Sequence, residues 1–331
     1  MEISYTQNFT VQYCFPGNNA SCRKQVRSDP AYIFLFIFLS CISVCTVILN
    51  LLVIISISHF KQLHTPTNLL ILSLAAADLL VGMFVMPVKI TQLRDSCWYF
   101  GDLACCFSEI INGCLTAASL CNLVLIAVDR YIAVSDPLHY NTKITVCKTS
   151  LFIVLAWSIS VMYITIFYYF NDHLLQSQVI TSCYGECVVI VKDFWVITDV
   201  VVCFVAPCSV ILILYSIIFN AARQQAKAVR AIRLALKIHS SSHSSEIKAA
   251  KTLGLVISVY LTFWITFYVC SLTTSSIAWT VFGWLLYLNS SLNPLLYAIF
   301  YPWFRTSVNF IVCCRIFESS SSTFNLLPDH F

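Results

Sequence analysis

Residues 32–58 read YIFLFIFLSCISVCTVILNLLVIISIS, twenty-seven positions without one charged side chain. A helix needs about 20 mostly apolar residues to cross a bilayer, and the run shows none of the alternation of a barrel strand. It is therefore read as a spanning helix, whose backbone groups bond one another where lipid offers no partner. It follows a polar 30-residue segment and exceeds the apolar core of a removable signal peptide.

Six more runs of this kind lie outward from it, at 67–93, 104–133, 147–170, 193–219, 252–275 and 279–300. The composition agrees: 59% of the 331 residues are hydrophobic and 10% charged, with a mean hydropathy of +0.82, where soluble domains carry roughly one quarter charged residues. The expected fold is an all-α membrane protein, a seven-transmembrane bundle. It divides into an N-terminal tail (1–31), a membrane domain (32–301) and an amphipathic eighth helix with a cytoplasmic tail (302–331).

Basic residues set the orientation. Thirteen of the 19 lysines and arginines fall after spans 1, 3 and 5 or in the C-terminal tail, and six on the other side. By the positive-inside rule the N-terminus is outside and the protein is a multi-pass component of the plasma membrane. Two glycosylation sequons, at Asn8 and Asn19, agree with an extracellular tail. A third, at Asn289, lies inside the seventh span and is discounted. Of the seventeen cysteines many sit within the spans as small apolar residues, leaving Cys14, Cys22, Cys97, Cys105, Cys183 and Cys187, with Cys106 close by, to meet an oxidising compartment.

Specific motifs sit on these helices. Helix 3 ends in Asp129-Arg130-Tyr131, helix 2 carries Asp78, helix 4 Trp157, helix 5 Pro207 and Tyr215, and helix 7 reads NSSLNPLLYAIFYPWF from Asn289. Together they resemble a rhodopsin-like G-protein-coupled receptor. Asn289, Asn293-Pro294, Tyr297, Tyr301 and Trp303-Phe304, with SISHFKQLHTPTN at 56–68, resemble the trace amine-associated receptors. The resemblance implies a switch in which Arg130 pairs with Asp129 at rest and meets a heterotrimeric G protein on activation, with Tyr131, Tyr215, Asn293, Pro294 and Tyr297 in the same machinery. The plainer role for Arg130 is snorkelling to the interface. Asp78 is a mid-membrane acid and so a functional candidate by default; the resemblance implies a sodium and water site with Ser119 and Asn293, the alternative being a polar packing contact. Beyond that possible sodium no cofactor is expected.

Amine-binding relatives hold the ligand's ammonium with an aspartate eighteen residues before the motif arginine, about 27 Å outward on the same helical face. Here that position is Asn112, whose amide oxygen accepts a hydrogen bond but neutralises nothing. Asp199 stands instead in the outer part of helix 5. The resemblance suggests that it replaces the lost anchor, as in a fish-type branch of the family whose acid has moved to helix 5. A carboxylate in a low-dielectric pocket attracts a cation strongly. Glu109, Glu186 and Asp193 compete as anchors, and Glu109, one turn outside Asn112, is read as a second acidic contact for a diamine, or else as pairing with a loop lysine or facing water. Trp264, Phe267, Tyr268 and Tyr287 match the family's aromatic pocket lining. Helix 6 departs from the pattern, with Thr266 where a proline is usual; its hydroxyl is expected to bend the helix by bonding one turn back.

The resemblance also implies a Cys105–Cys187 disulfide and a second bridge from Cys183 to either Cys14 or Cys22. Arg223, Lys227, Arg230 and Arg233 recur at helical spacing and extend helix 5 past the membrane, as a G-protein face or an anchor beside anionic lipid. Phe304 to Phe317 reads as amphipathic, with Cys313 and Cys314 as palmitoylation candidates. The expected function is a receptor for small amines, olfactory by resemblance, that raises cyclic AMP through a stimulatory G protein. The alternatives are a receptor of this fold with a non-amine ligand and, from another class, a transporter, for which no internal repeat is evident. No nucleophile with its base, metal cluster or phosphate loop suggests an enzyme, and no nucleic-acid partner is expected.

Overall fold

The computed structural model describes residues 12–171, 183–187, 191–236, 258–259, 261–266, 276–318 and 321–326. Proline or threonine starts four of the helices. α1 (Pro30–His59) and α8 (Pro302–Val312) open on a proline, whose missing N–H costs nothing in the first turn. Thr65 caps α2 (Pro66–Arg94) and Thr145 caps α4 (Val146–Phe170) by accepting from the backbone N–H groups of Asn68 and Lys148. α3 (Gly101–Ser135) begins at a glycine with φ +80°, a conformation that disfavours a side chain.

α2 and α5 are not regular throughout. α2 runs Pro66–Leu80, passes through a π turn Val81–Val85 and resumes at Met86–Arg94. α5 runs Asp193–Asp199, a π turn Val200–Val205 and Ala206–Leu236. Each π turn ends just before a proline, Pro87 or Pro207. A proline inside a helix removes one donor and its ring clashes with the carbonyl four residues back, so the preceding turn widens to accommodate it. Residues 261–266 form a helical segment, α6, and α7 (Ser276–Phe300) contains Pro294.

Among the described residues α1 to α5 are long and apolar enough to cross a membrane. The helices form a bundle with α3 at its centre, packed on α2, α4 and α5, while α1 packs on α2, α7 and α8. Small residues let α3 approach its neighbours: a Cβ added at Gly113 would stand 3.1 Å from Ile164 Cδ1 of α4. Large side chains such as Phe34, Ile37, Val154 and Ile213 face outward, as lipid-facing positions do.

As the helical spacing of Arg223, Lys227, Arg230 and Arg233 predicts, α5 continues beyond the apolar run to Leu236. One boundary differs from the sequence reading. α8 stops at Val312 instead of Phe317, because Cys314 turns left-handed (φ 56°) and a short 3-10 turn, Arg315–Phe317, follows. α8 lies against α1: Phe304 and Phe310 are buried beside Phe60 and Ile57, and Ser307 Oγ donates to Ser56 Oγ at 2.9 Å.

At the end of the bundle that carries the N-terminal segment, three disulfides join tail and loops: Cys14–Cys97, Cys22–Cys183 and Cys105–Cys187. Cys22 is thus the tail cysteine bonded to Cys183, and Cys14 takes Cys97, a pairing the sequence reading did not contain. Isolated bridges Ser21↔Tyr184 and Val26↔Asp95 reinforce the tie. Phe15 packs on Tyr184 at 4.9 Å and approaches Gly185 (φ +99°), where an added Cβ would stand only 2.8 Å from the ring.

Candidate functional site

Below this cap a cavity of about 590 Å³ descends between the helices. Its lining begins with Arg27, Lys89 and Glu109, passes Asn112, Ile164, Asp199 and Cys203, and reaches Trp264, Asp78, Ser119 and Asn293. One space therefore joins the positions read as ligand-binding to those read as a sodium site.

Asp199 is the last residue before the π turn of α5 and is half-buried. Tyr163 of α4 donates its hydroxyl to Asp199 Oδ1 at 3.2 Å, and the Cys203 thiol, one turn on, also hydrogen-bonds the carboxylate. The carboxylate is held from two sides while its residue lines the cavity. Across the cavity Asn112 of α3 accepts from the Tyr287 hydroxyl at a long 3.5 Å, and Trp284 meets Tyr287 edge to face at 5.4 Å. Trp264 is buried among Leu120, Leu123 and Ile211 and forms part of the floor. Phe267 and Tyr268 lie outside the described residues, as does Asn8. Asn19 is exposed in the tail.

Glu109 does not reach toward Asn112 as an unpaired second acid. Its Oε1 accepts from Lys89 Nζ at 2.5 Å, with both side chains largely shielded. Of the other competing anchors, Glu186 is not among the described residues that line the cavity, and the side chain of Asp193 lies outside the description.

At the deep end Asn293 Nδ2 donates to Asp78 Oδ2 at 2.8 Å, and Ser290 also hydrogen-bonds that carboxylate. Ser119 Oγ is buried beside them and has no hydrogen-bond partner among the described residues. A buried hydroxyl without a partner costs about 1–3 kcal/mol, so this cluster suits a further occupant. Its oxygen donors fit a hard cation with water. Asn50, buried nearby on α1, bonds to the Ser290 carbonyl at 3.0 Å and fixes α7 against it. The sequon at Asn289 is buried in α7, unsuited to glycosylation.

The opposite end of α3 is closed. Arg130 Nε and Nη2 donate to Asp129 Oδ2 at 3.0 and 2.5 Å. Asp129 also accepts from Thr67 of α2 at 2.8 Å and from Tyr140 at 2.7 Å, and Arg130 Nη2 contacts Thr67 Oγ1. Tyr131 is half-buried on the same turn, and Tyr215 of α5 is half-buried too, with its hydroxyl oxygen shielded and lacking a partner among the described residues. Tyr297 is packed beneath α8 against Val53, Ile57 and Ala75. In the following loop, hydrogen bonds from Lys143 and His139 hold the Asp136 carboxyl down at about 2. On α6 Thr266 Oγ1 donates to the Thr262 carbonyl at 2.7 Å, the bond one turn back expected of a threonine in place of proline.

This geometry has counterparts of known lineage. The profile of the 7 transmembrane receptor (rhodopsin family) matches residues 49–297. Trace amine-associated receptor 6 of Homo sapiens is 40% identical over 337 residues, covering 97% of each chain. The chain belongs to the trace amine-associated receptors. Trace amine-associated receptor 6 of Pan troglodytes is 39% identical over 337 residues, again 97% of each chain, and trace amine-associated receptor 13c of Danio rerio is 38% identical over 338 residues, covering 98% of this chain and 99% of that one.

The receptor's sequence named the acid on α5 but missed what positions it. Tyr163 was overlooked because tyrosines on an apolar helix face carry no individual signal. Lys89 offered one, as a charge near the end of a span. Trp284 stands three residues before Tyr287 and shares its helical face, which periodicity could have found.

Proposed function

We propose that this receptor binds a small amine from outside the cell and activates a heterotrimeric G protein of the stimulatory class, raising cyclic AMP. Asp199 is the counter-ion of the ammonium, and the single observation that carries the reading is its place on the cavity wall with its carboxylate steadied by Tyr163. An amine brings the compensating charge, and Trp264, Trp284 and Tyr287 offer aromatic faces for its apolar body and for the cation. Asn112 is a polar contact beside them, while Phe267 and Tyr268 complete the lining by resemblance.

The orientation places the N-terminus outside, on the strength of the basic residues, with glycans at Asn8 and Asn19. The plasma membrane is the site of action, and an olfactory role follows the resemblance. The identities to primate and zebrafish receptors differ by two points at most, so assignment to the branch with its acid on helix 5 rests on the Asn112 and Asp199 pattern. Asp129, Arg130 and Tyr131, with Tyr215, Asn293, Pro294 and Tyr297, form the switch, supported by the closed Asp129–Arg130 pair. Asp78, Ser119 and Asn293 would hold a sodium ion that favours the resting form. Cys313 and Cys314, exposed just beyond α8, are positioned for palmitoylation at a lipid surface.

The test is cyclic AMP in cells expressing wild type or Asp199→Asn at matched surface levels, challenged with a panel of amines. The expected result is a wild-type response whose potency falls at least about a hundredfold in the mutant, the scale of leaving a buried charge unpaired. An equal response of both forms would move the anchor elsewhere; silence of the wild type toward every amine would favour a ligand of other chemistry.

A further inference from the structure

The mouth of the cavity carries a charge arrangement that amine binding at Asp199 does not explain. Three ionic groups line it: Arg27 from the tail, Lys89 from the upper part of α2 and Glu109 from α3. The Glu109 carboxylate is already bound to the Lys89 ammonium at 2.5 Å, with side-chain exposures of 14% and 23%. Arg27 is held apart from them, donating to the Leu93 carbonyl at 3.2 Å with its guanidinium over the Tyr32 ring at 5.2 Å. Among the described residues the mouth thus carries one net positive charge, and the interior at Asp199 is anionic.

We propose that the Lys89–Glu109 ion pair makes the site selective for ligands with a single cationic group, by filling with a tethered ammonium the acidic position that a diamine would use. The inference rests on Asp199 as the first anchor. Among the described residues the carboxylates lining the cavity are Asp78, Glu109 and Asp199. Asp78 lies at the deep end, bonded to Asn293 and Ser290. A second ammonium held near the mouth therefore has Glu109 as its partner and must displace Lys89 to reach it.

That exchange is unfavourable for two physical reasons. Lys89 is attached to the protein, so its ammonium competes at a high effective concentration without losing translational freedom. Once displaced it is left partly shielded from water without its counter-ion, which is costly for a charge. A diamine thus pays to desolvate its second charge and replaces one ammonium with another, whereas a monoamine leaves the pair intact.

The experiment compares n-alkylamines with α,ω-diamines of matched chain length, reading the ratio of their potencies in a cyclic AMP assay. In the wild type the diamines should be weaker by about tenfold or more, the effect of one close charge interaction. Lys89→Met should shift the ratio toward the diamines by a similar factor, and adding Glu109→Gln to it should abolish that shift. The exchanged pair, Lys89→Glu with Glu109→Lys, should restore the wild-type ratio and shows that the site tolerates substitution. Diamines equal to monoamines on the wild type would overturn the proposal even if no variant reached the surface. So would an unchanged ratio in Lys89→Met. Loss of all amine responses, or their survival in Asp199→Asn, would instead identify failure of the underlying anchor.

Discussion

Asp199 shows how a charge is made usable inside a membrane. An isolated carboxylate there is costly, yet the Tyr163 hydroxyl and the Cys203 thiol each satisfy part of it and leave the residue on the cavity wall. A hydrogen bond to a charged acceptor contributes roughly 1.5–3 kcal/mol, part of which a bound ammonium replaces. Tyr163→Phe should therefore lower amine potency by about three- to tenfold without abolishing the response, measured by cyclic AMP dose–response; an unchanged curve would mean that Tyr163 does not hold the bound carboxylate. At the deep end Asp78→Asn removes the only formal charge among the Asp78, Ser119 and Asn293 oxygens. Agonist affinity in washed membranes should fall as sodium replaces an inert organic cation for the wild type and stay flat for the mutant. A sodium effect that survives in Asp78→Asn would place the ion elsewhere.

At the scale of the helices, the two π turns decide what the cavity sees. Both precede a proline, and the one in α5 lies between Asp199 and Pro207, so the outer turn is rotated relative to a regular helix. Pro207→Ala restores a donor and removes the ring clash, which favours a regular α-helical turn. It should cost amine potency about tenfold by turning Asp199 away from Tyr163, and Pro207→Ala added to Asp199→Asn should cost nothing further, because coupled changes are not additive. The α3 end works by a similar economy: one carboxylate, Asp129, accepts from Arg130, Thr67 and Tyr140 together. Asp129→Asn should raise ligand-free cyclic AMP several-fold at equal surface expression, and an unchanged basal level would deny the pair a restraining role. The helices themselves were legible because uninterrupted apolar runs leave no other solution in lipid, and the start of α1 differs from the run by two residues. The π turns were not legible, since proline signals a disruption without specifying its form. Glu109 was left open between a diamine, a loop lysine and water, and Lys89 of α2 was not named as its partner, because choosing it needs the distance between α2 and α3 that sequence spacing does not contain.

For the whole molecule the cap is the element with the least sequence signal and a large mechanical consequence. Cysteine spacing cannot say which sulfurs meet, and the Cys14–Cys97 bond went unforeseen for that reason. The three bridges are also not independent. With Cys14–Cys97 and Cys105–Cys187 in place, Cys22–Cys183 closes a ring of only about 20 residues, worth about 3 kcal/mol in the chain-entropy picture. Without Cys14–Cys97 the ring grows to roughly 90 residues and the contribution to about 4.5 kcal/mol. The small ring is tail and loop except for Gly101–Cys105 at the start of α3, whereas the large ring runs through α1 and α2, so the difference of about 1.5 kcal/mol is an upper bound when the unfolded chain keeps its helices in the membrane. Serine replacement of Cys22 and Cys183 should therefore lower the apparent Tm of the purified receptor, and lower it further in a background already lacking Cys14 and Cys97. A four-corner comparison of thermal melts measures this. Equal losses in both backgrounds would show that the bridges act on separate parts of the cap, and that the tail does not close over the cavity as one unit.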